Sequence, residues 1–207
     1  MKTGNKILVL LLLAICQMGN AQGFINLNFE STTLITNGSP GTVSTTIGLP
    51  DWNAFIGGIS QSTILYNNGT LGNSAIAILG YGNPLNPVIA GNFSVSLTAG
   101  ANGNAAISQT GVVPQNVYSI LFESYAQGNE LTNLLVTLNG QAINIMPLET
   151  TANYTLYGGN ISSFSGQTAD LTFTASSTFL IGKSLEVKFS GGAYDTRKSV
   201  SADIGAG

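Results

Sequence analysis

Strict alternation of apolar and polar residues recurs along this chain. Residues 93–98 (FSVSLT), 170–175 (DLTFTA) and 185–190 (LEVKFS) each place apolar side chains on one face and polar ones on the other. A period of two with β-branched and aromatic residues predicts half-buried strands. Residues 117–125 are apolar on both faces for most of their length, which predicts a central strand. No segment after residue 21 shows a helical stripe with caps, so the pattern predicts an all-β fold.

The dipeptide Asn-Gly at 139–140 predicts the clearest local structure. With these two residues as the turn, Val136 lies opposite Ile143 and Leu134 lies opposite Ile145, and all four apolar side chains share one face. Asn-Gly tolerates the positive φ angles that a type I′ hairpin requires. The turn chemistry and the hydrophobic register therefore predict the same hairpin.

The N-terminal segment has the order of a secretory signal peptide. Lys2 and Lys6 precede an apolar run over 7–16, and small residues fit a cut after Ala21. This run is too short to cross a bilayer, which needs about 20 residues. The alternative is a lipoprotein, since Cys16 lies in a Leu-Ala-Ile-Cys sequence, although such sequences prefer a small residue before the Cys. We predict a secreted, extracellular protein with no membrane contact after cleavage.

Three regions follow from this pattern. Residues 1–21 are predicted to be the signal peptide. Residues 22–190 are predicted to form one jelly-roll or β-sandwich domain, because short strands and turn signals continue without a Pro-rich linker. Residues 191–207 are polar and are predicted to be a disordered tail.

Charge and composition exclude several functions. Only 7% of the residues are charged, against about 25% in average proteins. No Lys or Arg lies between residues 7 and 182, so nothing there neutralises phosphates, and nucleic-acid binding is not expected. The chain has no His, and its one Cys lies in the predicted signal peptide, which excludes Ser–His and Cys–His mechanisms. We predict that the protein is not an enzyme. The alternative is a glycosidase that uses Glu123 and Glu130.

Several short patches occur in an informative order. They are 26–30 (NLNFE), 49–52 (LPDW), 107–110 (ISQT), 118–122 (YSILF) and 135–140 (LVTLNG). In this order they resemble the galactose-binding-like jelly rolls of PEP-CTERM-class exported bacterial proteins, which are linked to exopolysaccharide producers. The resemblance covers about 24–190. Such proteins end in a Pro-Glu-Pro motif, an apolar helix and a basic cluster. This chain has none of the three, so anchoring by such a signal is not expected.

The resemblance implies a structural calcium site. Jelly rolls of this type often use one acid near the first strand and another in the last strand. Glu30 matches the first position, and Glu186 is the acid nearest to the second. Calcium takes six to eight oxygen ligands, which Asn side chains and carbonyl groups could complete. The alternatives are that Glu30 caps a turn and that Glu186 is a solvent-facing strand residue.

Four residues are candidates for ligand binding. Trp52, the sole Trp, lies between Asp51 and Asn53, and an exposed Trp would offer a platform for the apolar face of a sugar. The alternative is that Trp52 anchors the core, as large aromatic residues usually do. Tyr66, Tyr81 and Asn83 lie in turn-rich sequence and are candidates for lining a site at the loop end. The alternative is that they are ordinary loop residues.

These observations favour a secreted, non-catalytic β-sandwich module of the cell envelope or extracellular matrix. We expect it to bind carbohydrate, and its low charge indicates a neutral polysaccharide as the partner. The alternative is a structural surface or matrix protein that acts by self-association without a ligand pocket. A low-charge surface with exposed strand edges would favour this alternative, because bare edges pair with other chains.

Overall fold

The computed structural model describes residues 23–34, 40–80, 88–126, 134–176 and 179–181. These residues form fourteen β-strands, a short helix α1 (Thr45–Gly48) and a 3-10 turn (Ser162–Phe164). The strands are β1 Gly41–Ser44, β2 Asn53–Ile56, β3 Ile59–Ser60, β4 Thr63–Tyr66, β5 Ala75–Gly80, β6 Phe93–Thr98, β7 Ala105–Val112, β8 Ser119–Ala126, β9 Leu134–Leu138, β10 Gln141–Ala142, β11 Ile145–Thr150, β12 Thr155–Asn160, β13 Thr168–Ala175 and β14 Phe179–Ile181.

The strands form two sheets. The eight-stranded sheet has the order β1-β4-β5-β6-β14-β8-β12-β11, and the six-stranded sheet has the order β10-β9-β13-β7-β2-β3. Apart from the parallel pair β4–β5, the strand pairs are antiparallel. The inward faces of both sheets contribute to one buried apolar cluster. The predicted all-β sandwich is therefore confirmed.

The alternating segments occupy the places that their pattern predicts. Residues 93–98 form β6, and residues 170–175 lie in β13. The predicted central strand over 117–125 corresponds to β8, which lies between β14 and β12. Residues 185–190 lie outside the described part of the chain. Within β13, Leu171 and Phe173 are almost fully buried, and Phe173 meets Phe122 of the other sheet at a ring-centroid distance of 5.3 Å.

The hairpin at residues 139–140 is confirmed near its turn. Asn139 and Gly140 have φ angles of 50° and 76°, which are the two positive values of a type I′ turn. The Ile143 amide donates to the Val136 carbonyl at 2.9 Å, which is the predicted register.

The predicted pairing of Leu134 with Ile145 in that hairpin is wrong. Ile145 does not lie opposite Leu134 but begins β11, where it pairs with Gly159 of the eight-stranded sheet. Leu134 pairs with Ala175 in the six-stranded sheet. The chain crosses from one sheet to the other directly after Ile143, so Ile145 packs against the same core from the opposite side.

The N-terminal segment over 23–34 packs against β7 through a buried amide. The Gln109 side chain accepts a hydrogen bond from the Ile25 amide at 2.7 Å, and its NH2 group donates to the carbonyls of Ile25 and Asp51, both at 2.9 Å. Beside it, a Cβ on Gly111 would lie 2.8 Å from the backbone and the ring of Phe24. Gln109 therefore ties two separate segments to one strand.

Neither helix among the described residues is long and apolar enough to cross a membrane.

Candidate functional site

The outward face of the six-stranded sheet carries a regular set of small polar side chains. On β13 the outward residues include Asp170, Thr172 and Thr174, because Leu171 and Phe173 between them point into the core. The same alternation makes the neighbouring strands β7 and β2 present every second residue on this face.

Strand register brings these outward residues into rows. Two rows run from β13 through β7 to β2: Thr172–Ser108–Asn53 and Thr174–Ala106–Phe55. Neighbouring strands lie about 4.8 Å apart, so each row spans about 10 Å. Small residues occupy the middle strand of both rows, while the aromatic ring lies at one side. The centre of this face is therefore lower than its β2 side.

The rows enclose an open groove of about 380 Å³. Ala106 and Ser108 are central to its lining, Phe55 lies on the β2 side, and Thr172 and Thr174 lie on the β13 side. This volume is within the range of about 300–1,000 Å³ that is typical of ligand sites. We call this feature the sheet groove.

A two-glycine turn limits one end of the sheet groove. Gly57 and Gly58 join β2 to β3 and also line the groove. Both have positive φ angles, 56° and 80°, which residues with a Cβ rarely adopt. A Cβ on Gly57 would lie 2.6 Å from the carbonyl oxygen of Asn102. Glycine is required at Gly57 by both conformation and space.

Asp170 is the charged residue of the sheet groove. Its backbone is held by Asn139: the Asp170 amide donates to the Asn139 side-chain oxygen at 2.8 Å, and the Asn139 amide donates to the Asp170 carbonyl at 3.0 Å. Its two carboxylate oxygens accept one hydroxyl bond each, from Thr110 and Thr172, both at 3.3 Å. Since an ionised carboxylate has about four acceptor positions, Asp170 keeps capacity for a ligand.

The electrostatic character of the described fold is negative. Its charged side chains are Glu30, Asp51, Glu123, Glu149 and Asp170, and all six Lys and Arg residues of the chain lie outside the described ranges. The sheet groove therefore combines hydroxyl groups, one carboxylate and one aromatic ring in a negative field. Such a lining suits hydroxyl-rich ligands that carry no negative charge.

Trp52 is part of the core, and the expectation of an exposed sugar platform is corrected. Its side chain is 4% exposed, and its ring lies between Phe29 and Phe173 at centroid distances of 5.6 and 6.3 Å. The indole N–H donates to the Asn26 carbonyl at 3.0 Å. Both the ring and its polar atom are used inside the protein, so no ring face is left for a ligand.

Tyr66 also points into the sandwich rather than into a loop-end site. It is 5% exposed, and its hydroxyl has no hydrogen-bond partner among the described residues. The hydroxyl is 3.2 Å from the position that a Cβ on Gly80 would occupy. Tyr66 is therefore remote from solvent, contrary to the expectation of an accessible side chain. Tyr81 and Asn83 lie outside the described residues.

Glu30 serves as an acceptor for backbone and amide N–H groups. Its carboxylate accepts from the backbone amides of Asn92 and Phe93 at 3.0 and 3.1 Å, and from the Asn92 side chain at 2.9 Å. These three groups are donors and cannot ligate a cation. No three acidic, His or Cys residues come together within the described ranges. The described surroundings of Glu30 do not fit calcium, Glu186 lies outside them, and the calcium site stays a prediction.

Glu123 lies on the opposite sheet, away from the sheet groove. The pKa of Tyr154 is raised above its usual value of 10.0, first by burial and then by the charges of Glu123 and Glu149, with a further contribution from its hydrogen bond to Glu123. Glu130, the partner that a two-acid glycosidase would need, lies outside the described residues. The described neighbours of Glu123 thus include Tyr154, to which it is hydrogen-bonded.

Sequence reasoning did not identify the residues of the sheet groove. The alternation over 170–175 predicts which residues of β13 point outward, including Asp170. It does not predict that β7 lies beside that strand or that β2 lies on the other side of β7. The available signal was the run of small outward residues at Ala106 and Ser108, next to a strand whose outward residues are Asp and Thr.

Comparison with known proteins shows a distant likeness to a solved structure. No protein-family profile matches the chain, and no curated protein matches it. Among solved structures, it is similar to the enzymatically active domain of tailspike protein 4 from bacteriophage CBA120, with 15% identity and a TM-score of 0.40. The match covers 68% of this chain but 20% of the tailspike chain. At this level the likeness assigns this chain neither a fold nor an activity.

The prediction of a protein without enzymatic activity is corrected at this point. The solved tailspike domain is enzymatically active, but a likeness with a TM-score of 0.40 does not carry that activity over to this chain. The absence of His and of a thiol in residues 22–207 excludes mechanisms that need those side chains, but it does not exclude mechanisms that use carboxylates. The prediction set a two-carboxylate mechanism, with Glu123 and Glu130, aside as the alternative, and it is not retained.

Proposed function

We propose that this chain is an exported β-sandwich module whose sheet groove binds a polysaccharide that carries no acidic groups. The observation that carries the proposal is the lining of this groove: outward hydroxyls of two strands, β7 and β13, one carboxylate and one aromatic ring around a volume of about 380 Å³. The proposed setting is the cell envelope or the extracellular matrix.

The lining matches the chemistry of a sugar. Sugar hydroxyls both donate and accept, as do the hydroxyls of Ser108, Thr172 and Thr174, and they can donate to the Asp170 carboxylate. The ring of Phe55 can cover an apolar C–H face of the sugar. Each hydrogen bond contributes only about 1 kcal/mol net, because it replaces a bond to water. We therefore expect weak binding, with a Kd on the order of 1 mM, or about 4 kcal/mol.

The strand edges give less support to the structural alternative. Among the described strands, the edges of the six-stranded sheet are β3 and β10, with two residues each. The edges of the other sheet are the four-residue β1 and β11, which contains Pro147. Short edges and edge prolines offer little for another chain to pair with. These edges favour a binding module over edge-to-edge self-association.

Filling the sheet groove tests the proposal. In Ala106→Trp, a large outward side chain occupies the centre of the groove, while Thr42→Trp adds the same bulk to an exposed position on β1. Wild type and both variants are incubated with insoluble neutral glucan, mannan and chitin, and the bound fraction is measured. We expect wild type and Thr42→Trp to be retained on a neutral glycan, and Ala106→Trp to be lost from it.

Equal retention of Ala106→Trp and wild type would contradict the proposed site, provided that both melt at the same temperature. If wild type binds none of the three glycans, the proposed glycan-binding function is contradicted. In that case, concentration-dependent assembly of the same protein in light scattering would support the structural alternative.

Export is the part of the proposal that rests on the N-terminal sequence. Mass spectrometry of the protein recovered from the culture medium is expected to show Gln22 as the first residue, because Gly19 and Ala21 fit the cleavage rule. A lipid-modified Cys16 as the first residue would contradict it and would place the protein on a membrane surface.

A further inference from the structure

We infer that Asp170 makes the sheet groove selective for amino sugars, that is, for polysaccharides with free, protonated amino groups. This inference rests on the proposed glycan-binding function and names the ligand class of the same site. It follows from how Asp170 is held and from the charges around it.

The bonding of Asp170 differs from that of Glu30. Glu30 accepts three N–H bonds between 2.9 and 3.1 Å. Asp170 accepts two longer hydroxyl bonds of 3.3 Å, one on each oxygen. Bonds from N–H groups neutralise a carboxylate more effectively than long hydroxyl bonds do. Asp170 therefore presents most of its negative charge to the groove that it lines.

No cation within the described ranges compensates this charge. The described residues contain five carboxylates and no Lys, Arg or His. The other four carboxylates add to the negative potential at the groove, although salt screens their contribution over about 10 Å at moderate ionic strength. A sugar carboxylate or sulfate would be repelled, and an ammonium group would be attracted.

The position of Asp170 suits a group carried on a sugar ring. Its outward neighbour on β13 is Thr172, whose row continues across β7 to Ser108. A ring that bonds these hydroxyls would lie within reach of the carboxylate at the same end of the groove. Because Asn139 fixes the backbone of Asp170 on both its N–H and C=O, the carboxylate is pre-positioned for this contact.

The expected preference is moderate. An ammonium paired with a partly exposed carboxylate gains up to about 1 kcal/mol over a neutral group, or about fivefold in affinity. The negative surroundings raise this to about tenfold at low salt. Neutral sugars remain ligands, because the hydroxyl rows do not depend on charge.

The test compares two ligands that differ only in the amino group. Chito-oligosaccharides of equal length, fully N-acetylated or fully deacetylated, are titrated into the whole chain in mildly acidic buffer by calorimetry. We expect wild type to bind the deacetylated ligand about tenfold more tightly at low salt, with the ratio falling as salt is added. In Asp170→Asn the ratio should fall to about one. Glu149→Gln, which removes an exposed charge from the other sheet, should keep most of the preference.

The outcomes separate this inference from the function on which it rests. If wild type binds both ligands equally, or if Asp170→Asn keeps the full preference, the inference is overturned while glycan binding stands. If wild type binds neither ligand nor any neutral glycan, the proposed function fails first. If Asp170→Asn does not fold, the wild-type protein alone tests the inference. A ratio of its affinities for the two ligands that does not change with salt also overturns the inference.

Discussion

Replacement of Gln109 by Met should destabilise the fold strongly, although both side chains have similar length and volume. Gln109 is 4% exposed, and its amide satisfies the N–H and C=O groups of Ile25 and the carbonyl of Asp51. Met occupies the same space but can neither donate nor accept these bonds. The N-terminal segment and the segment before Trp52 would then lose their polar attachment to β7.

The magnitude follows from the number of bonds. Three part-buried hydrogen bonds at about 1 kcal/mol each predict a loss of about 3 kcal/mol in the free energy of unfolding. For a domain of this size, 1 kcal/mol lowers Tm by about 2–4 °C, so Tm should fall by about 6–12 °C. Urea unfolding followed by tryptophan fluorescence is a suitable assay, because Trp52 is the sole Trp and lies in the core.

Gln167→Met is the matched control. Gln167 is exposed, and its side chain donates one hydrogen bond, to the Ser163 carbonyl at 2.6 Å. Substitutions at such surface positions usually change stability by less than about 0.5 kcal/mol. If Gln109→Met also unfolds within about 0.5 kcal/mol of wild type, the attachment of the N-terminal segment through Gln109 is refuted.

Three other substitutions probe separate parts of the structure. Gly111→Ala should lose about 1–3 kcal/mol in urea unfolding, because its Cβ would overlap backbone and ring atoms, whereas Gly41→Ala, with nothing within 4 Å, should be neutral. Gly140→Val should destabilise the hairpin, since a β-branched residue fits a φ of 76° badly; an unchanged Tm would contradict the turn. Glu123→Gln should lower the pKa of Tyr154, because it removes a negative charge that opposes tyrosinate formation. Ultraviolet titration against wild type would show the shift, and an unchanged or higher pKa would contradict the contact.

The sequence predicted those parts of the fold whose signals are local. The Asn139–Gly140 turn is encoded by two adjacent residues, and the burial of Leu171 and Phe173 is encoded by their spacing. The transfer of Ile145 to the other sheet could not be predicted in this way. Apolar side chains of β9 and β11 meet the same core from opposite sheets, so both pairings satisfy the hydrophobic pattern.

The candidate site was harder to predict, because it depends on strand order. Thr172 and Ser108 are neighbours only because β13 pairs with β7. Phe55 lies near them only because β2 pairs with the other edge of β7. No local pattern specifies these pairings. Trp52 illustrates the same difficulty, because an aromatic side chain suits both a sugar platform and a core anchor. Only its packing between two Phe rings shows that it belongs to the core.

Glycan binding in the sheet groove can be located residue by residue. The isotope-labelled protein is titrated with a soluble oligosaccharide of the neutral glycan on which it is retained, and the backbone amide signals are followed by NMR. We expect the amides of Ala106, Ser108, Thr172 and Thr174 to shift together and to saturate with one Kd on the order of 1 mM. Shifts that cluster on the eight-stranded sheet, or no shifts at saturating oligosaccharide, would contradict it.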